Sequence, residues 1–192
     1  MRYWTSVVFQ TGRIGGPAAA TNQCIQAVLA RAGLDPHTLP GTAAWLALSA
    51  LVLAAAWRGM RRAFAASQDC LALSLNAFAA LLISPISWSH HWVWCAPALL
   101  TLADLARRQR RRHRRLLAVT AAAGGLVLFT AAPQWLLGNF AGPTLTWAPW
   151  EQAIGDSYVF FAVLILLLAA CGQLTPPAPT AARAMRRAAS RS

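Results

Sequence analysis

Residues Ser84 to Trp94, SPISWSHHWVW, set two adjacent histidines among three tryptophans directly after an apolar run. An imidazole can donate to a phosphate or sugar oxygen, or relay a proton, near neutral pH. Ionisable residues at membrane depth are expensive, which makes His90 and His91 candidates for function. The spacing also fits an interfacial aromatic belt of Trp88, Trp92 and Trp94, with the histidines as polar residues at headgroup depth. A metal centre is the weakest reading, because adjacent side chains diverge on a helix and no third ligand of suitable spacing lies nearby. Spacing alone leaves the belt and the catalytic or binding turn both open.

Other residues with chemical potential lie near the start. RIGG, Arg13 to Gly16, reads as a turn, since it lacks the strand and lysine of a phosphate-cradling loop. In TNQCIQAVLARAGLDP, Thr21 or Asn22 can cap a short helix whose Ile25, Val28 and Leu29 share a face, Gly33 suits its C-terminal position, and Asp35-Pro36 ends it. That helix is too short to cross a bilayer and is expected to lie on the membrane or pack on the bundle, with Arg31 snorkelling to phosphate. Of the acids, Asp35 reads as a helix-stop residue, and Glu151 and Asp156 border the last apolar run and can cap it. Cys24, Cys70, Cys95 and Cys171 are scattered without a C-x-x-C, so neither a disulfide framework nor a zinc site is expected.

The elements that must position these residues are membrane helices. Of 192 residues 57% are apolar and 11% charged, too little polar surface to cover a soluble domain of this size. Five segments approach the length needed to cross a bilayer: Thr42–Trp57, Cys70–Ile86, Trp92–Ala106, Leu116–Leu137 and Tyr158–Gln173. The predicted class is an all-α polytopic transmembrane bundle over 41–174, preceded by a loop region over 1–40 and followed by a disordered basic tail over 175–192.

All 17 basic residues are arginines, for a net charge of +12. They sit in short blocks between apolar runs, which argues against nucleic acid and for contact with anionic membrane lipids. Arg58, Arg61 and Arg62 follow the first segment, seven arginines fill RRQRRRHRR after the third, and Arg183, Arg186, Arg187 and Arg191 lie in the tail. No arginine occurs in the His-His turn or from Gly138 to Ser157. The positive-inside rule then places the arginine loops and the C-terminus in the cytoplasm, and residues 1–40, the His-His turn and 138–157 outside. An odd span count with an external, arginine-bearing N-terminus leads to the expectation of further spans upstream.

Taken together, RYWTSVVFQTGRIGG, TNQCIQAVLAR and SPISWSHHWVW resemble the actinobacterial glycosyltransferase family 87 across most of residues 2 to 174. The family pattern runs from an aromatic-Trp-Thr segment to Ser-Arg-Val-Gly, then Asn-Gln-Ser-Leu, then Ser-Pro-Ile-Ser-Trp-x-His-His-Trp. Cys24 stands where the family usually has serine, and Gln26 where glycine or arginine is common.

The resemblance implies the C-terminal part of a GT-C-type membrane enzyme. It would move mannose from polyprenyl-phosphate-mannose to a glycolipid or lipoglycan of the cell envelope, on the extracytoplasmic face and without a cofactor or metal. It assigns His90 and His91 to catalysis and Arg13, Asn22, Gln23 and Trp88 to substrate binding. The acidic residue that family members carry after their first transmembrane helix would precede this chain. An inactive fragment or a non-enzymatic membrane scaffold is the competing reading.

Overall fold

A computed structural model describes residues 16–137 and 147–175. Among them the secondary structure is helical, apart from one isolated antiparallel bridge between Asn22 and Trp88. The helices are α1 (Ile25–Arg31), α2 (Leu39–Ala65), α3 (Asp69–Ile83), α4 (Cys95–Arg108), α5 (Arg112–Ala131), α6 (Pro149–Gly155) and α7 (Ser157–Ala170). A 3-10 turn over Ser89–Trp94 joins α3 to α4.

Local chemistry sets the helix ends. Gly33, at φ +85°, closes α1: its N–H reaches the Ala30 carbonyl, and the Leu34 N–H reaches Leu29 at 2.9 Å. This is a Schellman closure, at the glycine that the sequence indicates. The expected N-cap differs. Cys24 holds that position, and neither Thr21 nor Asn22 caps α1, because Asn22 is drawn into contacts with the His-His turn. In α2, Thr38 accepts from the Gly41 N–H at 3.3 Å and Pro40 occupies the first turn, where its missing N–H removes no intrahelical bond.

The buried stripe of α2 runs Ser49, Val52, Ala56, Gly59 and Ala63, in steps of three and four residues. Such small side chains let helix backbones approach closely where lipid supplies no hydrophobic drive for association. At Gly59 an added Cβ would lie 3.0 Å from Leu75 of α3 and 3.2 Å from Ala169 of α7. Thus α2 packs on both α3 and α7, while α4 packs antiparallel on α5. The core carries an aromatic cluster of Phe78, Trp92, Phe129, Tyr158 and Phe161, with ring centroids 4.4 Å apart at Phe129–Tyr158 and 5.6 Å at Trp92–Tyr158.

Each of the five predicted segments coincides with a helix, but five crossings is too generous a count. By length and composition α2 and the stretch Arg112–Trp135 are long enough to cross a bilayer, and α6 with α7, bent by 66°, supplies a third if the pair is one span. Helix α3 has 15 residues and a rise of about 22 Å, less than the ~30 Å hydrocarbon core. Helix α4 is shorter still and ends in Arg107 and Arg108. The expected amphipathic helix forms as α1 and packs on the bundle through Ile25, Ala27 and Leu29.

Candidate functional site

The TNQC segment and the SPISWSHH segment, more than sixty residues apart, lie side by side. The backbone N–H of Gln23 donates to the Ser87 carbonyl and that of Ser89 to the Thr21 carbonyl, both at 2.8 Å, enclosing the Asn22–Trp88 bridge. Asn22 is fully buried: its Oδ1 accepts from the Ser87 N–H at 2.8 Å, and its Nδ2 donates to the Pro17 carbonyl at 3.1 Å and the Pro85 carbonyl at 3.4 Å. Gln23, equally buried, donates to the carbonyls of Ala20 (2.9 Å) and Gly155 (2.8 Å). Both amides therefore make structural bonds to irregular backbone that would otherwise leave buried polar groups unpaired.

Cys24 extends the same pattern, its thiol donating to the Pro85 carbonyl at 3.4 Å. Burial pushes the Cys24 thiol above its ordinary pKa, so the group stays protonated and can donate. A cysteine in place of serine thus keeps a weaker version of a hydroxyl's hydrogen bond.

Beneath this junction Arg31 forms an ion pair with Asp156, both side chains wholly buried. The guanidinium also donates to the carbonyls of Ala19 at 2.8 Å and Asn22 at 3.1 Å, and lies 4.7 Å over the Trp147 ring. The expected snorkelling to lipid phosphate is therefore overturned. An arginine on an amphipathic helix can reach water or a partner, and here a buried carboxylate at the α6–α7 bend is within reach. Asp156 ties the final helix pair to α1 rather than capping α7 with its side chain. Glu151 does cap a helix, its Oε2 accepting from the Ala148 N–H at 2.8 Å at the start of α6. Asp35 accepts from the His37 N–H at 2.9 Å within the turn after α1.

The scaffold presents two imidazoles. His90 and His91 are exposed on the 3-10 turn with ring centroids 4.4 Å apart and planes at 77°. They line a cavity of about 640 Å³ together with Ser84, Ser87 and Trp94 and with Leu73, Ala77 and Ala80 of α3. Partial burial, and then the neighbouring His90, push His91 below the ordinary imidazole pKa. His91 is thus neutral near pH 7, with one nitrogen that donates and one that accepts.

Trp92, read as a candidate belt residue, is instead buried in the aromatic cluster and anchors the turn; Trp94 is partly exposed. Trp88 is half-buried within the bridge. Arg13 lies outside the described residues. Among those described, no three His, Cys, Asp or Glu side chains gather to hold a metal ion. Sequence reading did not single out the Arg31–Asp156 tie; the available signal was an arginine next to the apolar face of a short helix and a lone acid opening an apolar run.

These features define an all-α membrane protein in which a buried polar junction supports an exposed imidazole pair beside an amphipathic cavity. The sequence pattern of glycosyltransferase family 87 matches residues 1–85. A polyprenol-phosphate-mannose-dependent alpha-(1-2)-phosphatidylinositol mannoside mannosyltransferase of Mycobacterium tuberculosis is 37% identical over 191 residues, covering 93% of this chain and 43% of the relative. Its namesake in Mycolicibacterium smegmatis is 39% identical over 173 residues, covering 88% and 38%. A pentamannoside mannosyltransferase of Mycobacterium tuberculosis, also polyprenol-phosphate-mannose-dependent, is 32% identical over 169 residues, covering 86% and 37%. No solved structure matches. The chain belongs to glycosyltransferase family 87, and it spans less than half the length of the curated relatives that it matches.

Proposed function

We propose that this chain is the part of a membrane mannosyltransferase that receives polyprenyl-phosphate-mannose and presents it to a phosphatidylinositol-mannoside-type acceptor of the cell envelope. The observation that carries this reading is the exposed His90–His91 pair lining a cavity shared by serines and apolar residues of α3, suited to a phosphate on a lipid chain. The relatives' names supply the donor and acceptor classes.

In the proposed reaction an acceptor hydroxyl oxygen attacks the anomeric carbon of the mannose as its bond to the phosphate oxygen breaks. Polyprenyl phosphate departs with the electron pair, and the hydroxyl proton passes to a base. Imidazole N–H donors from His90 and His91, with Arg13, stabilise the charge that develops on the phosphate. Asn22 and Gln23 act on the sugar through the turn they hold, since their own amides are buried, and Trp88 flanks the substrate. Asp35, Glu151 and Asp156 already accept structural hydrogen bonds and are not assigned as the base. The turn faces the extracytoplasmic side of the plasma membrane together with residues 1–40, and the arginine loops and the C-terminus over 175–192 face the cytoplasm.

Membranes containing this chain, given polyprenyl-phosphate-mannose and a phosphatidylinositol mannoside, test the reading. Transfer is expected, with a loss of about 10²-fold or more in His91→Ala. A second reading, an inactive part of a longer enzyme or a non-enzymatic scaffold, is favoured by the share of the relatives that the chain spans. Binding of polyprenyl phosphate by a folded chain that transfers nothing selects the inactive part; neither binding nor transfer selects the scaffold.

A further inference from the structure

Helix α2 carries WRGMRR near its C-terminal end, which sets Arg58, Arg61 and Arg62 at i, i+3 and i+4 on one helix face. With Trp57 and Ala65 they line a cavity of about 410 Å³. One guanidinium group is anchored by a hydrogen bond and another lies close to backbone. The Arg58 Nε donates to the Ala170 carbonyl at 3.1 Å, at the C-terminal end of α7. Arg62 rests against Gly172, whose φ is +71° and where an added Cβ would lie 2.8 Å from the Arg62 Nη1. Arg61 lies 6.0 Å over the Trp57 ring.

No acid among the described residues answers these charges. Among the described residues the ion pairs are Arg31–Asp156 and Arg108–Asp104, and the cavity has no carboxylate in its lining. Arg58 contributes to the end of α7, but that bond uses only its Nε and leaves the rest of the fork free to face the cavity. The location selects the ligand. These arginines close a 27-residue apolar helix whose Leu53 and Trp57 remain exposed one turn before them, where acyl chains and headgroups meet.

From this we infer a binding site for the phosphate of an anionic phospholipid, with Arg58, Arg61 and Arg62 around the headgroup and an acyl chain along Leu53 and Trp57. Arginine forks match phosphate oxygens in paired hydrogen bonds, and the anchored Arg58 lowers the ordering cost of binding. The site is independent of the proposed transfer chemistry.

The chain purified in a mild detergent can be titrated with phosphatidylglycerol, with phosphatidylcholine and with inorganic phosphate, and read by native mass spectrometry and thermal unfolding. Phosphatidylglycerol is expected to remain bound and raise Tm in a salt-sensitive way, with no matching effect from phosphatidylcholine or millimolar phosphate. Arg61→Gln with Arg62→Gln is expected to weaken phosphatidylglycerol retention about 30-fold, while Arg107→Gln with Arg110→Gln leaves it unchanged. Equal retention of the two lipids, equal stabilisation by free phosphate, or unchanged retention in the α2 double variant would each overturn the site. The comparison of ligands on the unaltered chain stands even if the double variant does not fold.

Discussion

Arginine does opposite work at two corners of this molecule. At one corner Arg31 is wholly buried, paired with Asp156 and bonded to three carbonyls, so its charge is consumed within the fold. At the other, Arg58, Arg61 and Arg62 are exposed, carry no carboxylate partner among the described residues and surround an open cavity. The difference follows from what each helix end can reach. Helix α1 ends against irregular backbone and the α6–α7 bend, which hold buried oxygens in need of donors. The α2 terminus meets a single helix end and then solvent or headgroups. One side chain thus serves as an internal tie where acceptors are buried and as a ligand-facing cation where they are not.

The strongest way to break this contrast is Arg31→Met, which leaves Asp156 buried without its partner and is expected to cost about 3–5 kcal/mol in unfolding of the detergent-solubilised chain. Adding Asp156→Leu should restore most of that loss; failure to do so would mean that the carbonyl bonds, rather than the ion pair, dominate. Asn22→Ala comes next. It strands the Ser87 N–H and is expected to cost about 1–3 kcal/mol, with a fall in donor binding as the histidine turn loosens. A stability loss with donor affinity retained would separate Asn22 from the site.

A smaller effect concerns pH. Because folding lowers the His91 pKa, the folded state binds fewer protons than the unfolded chain once the pH drops below the ordinary imidazole value of about 6.5. The His91 contribution is therefore nil above that value and turns destabilising as pH falls toward the lowered folded pKa; His91→Gln should flatten that acid limb, as followed by thermal unfolding between pH 7 and 5. Smallest of all is Arg61→Gln, an exposed change expected to alter stability without lipid by less than about 0.5 kcal/mol. A cost near that of Arg31→Met would dissolve the distinction between the corners.

Local patterns in the sequence made the helices legible, because apolar runs, arginine blocks and caps are statements about neighbouring residues. The Gly33 closure of α1 and the two apolar segments that flank the His-His turn could be read in this way. The junction could not, because its partners are far apart: Asn22 meets Ser87 and Pro85, Gln23 meets Gly155, and Arg31 meets Asp156. Asn22 and Gln23 are eye-catching as polar residues beside a candidate site, yet only the long-range geometry reveals that their amides bond the backbone. Trp92 shows the converse: a tryptophan in an aromatic stretch looks interfacial until Phe78, Phe129 and Tyr158 surround it. The span count was loose for a related reason, since composition marks an apolar segment without fixing where its helix ends.

The distance in sequence between Arg31 and Asp156, 125 residues, also sets an order of assembly. At ordinary synthesis speeds of about 5–20 residues per second, roughly 6–25 seconds separate their emergence from the ribosome. During that interval the arginine lacks the carboxylate that answers its charge in the finished fold. The contacts of Asn22 with Ser87 need only the histidine turn, whereas the Arg31–Asp156 tie and the Gln23–Gly155 bond both await the last helix pair.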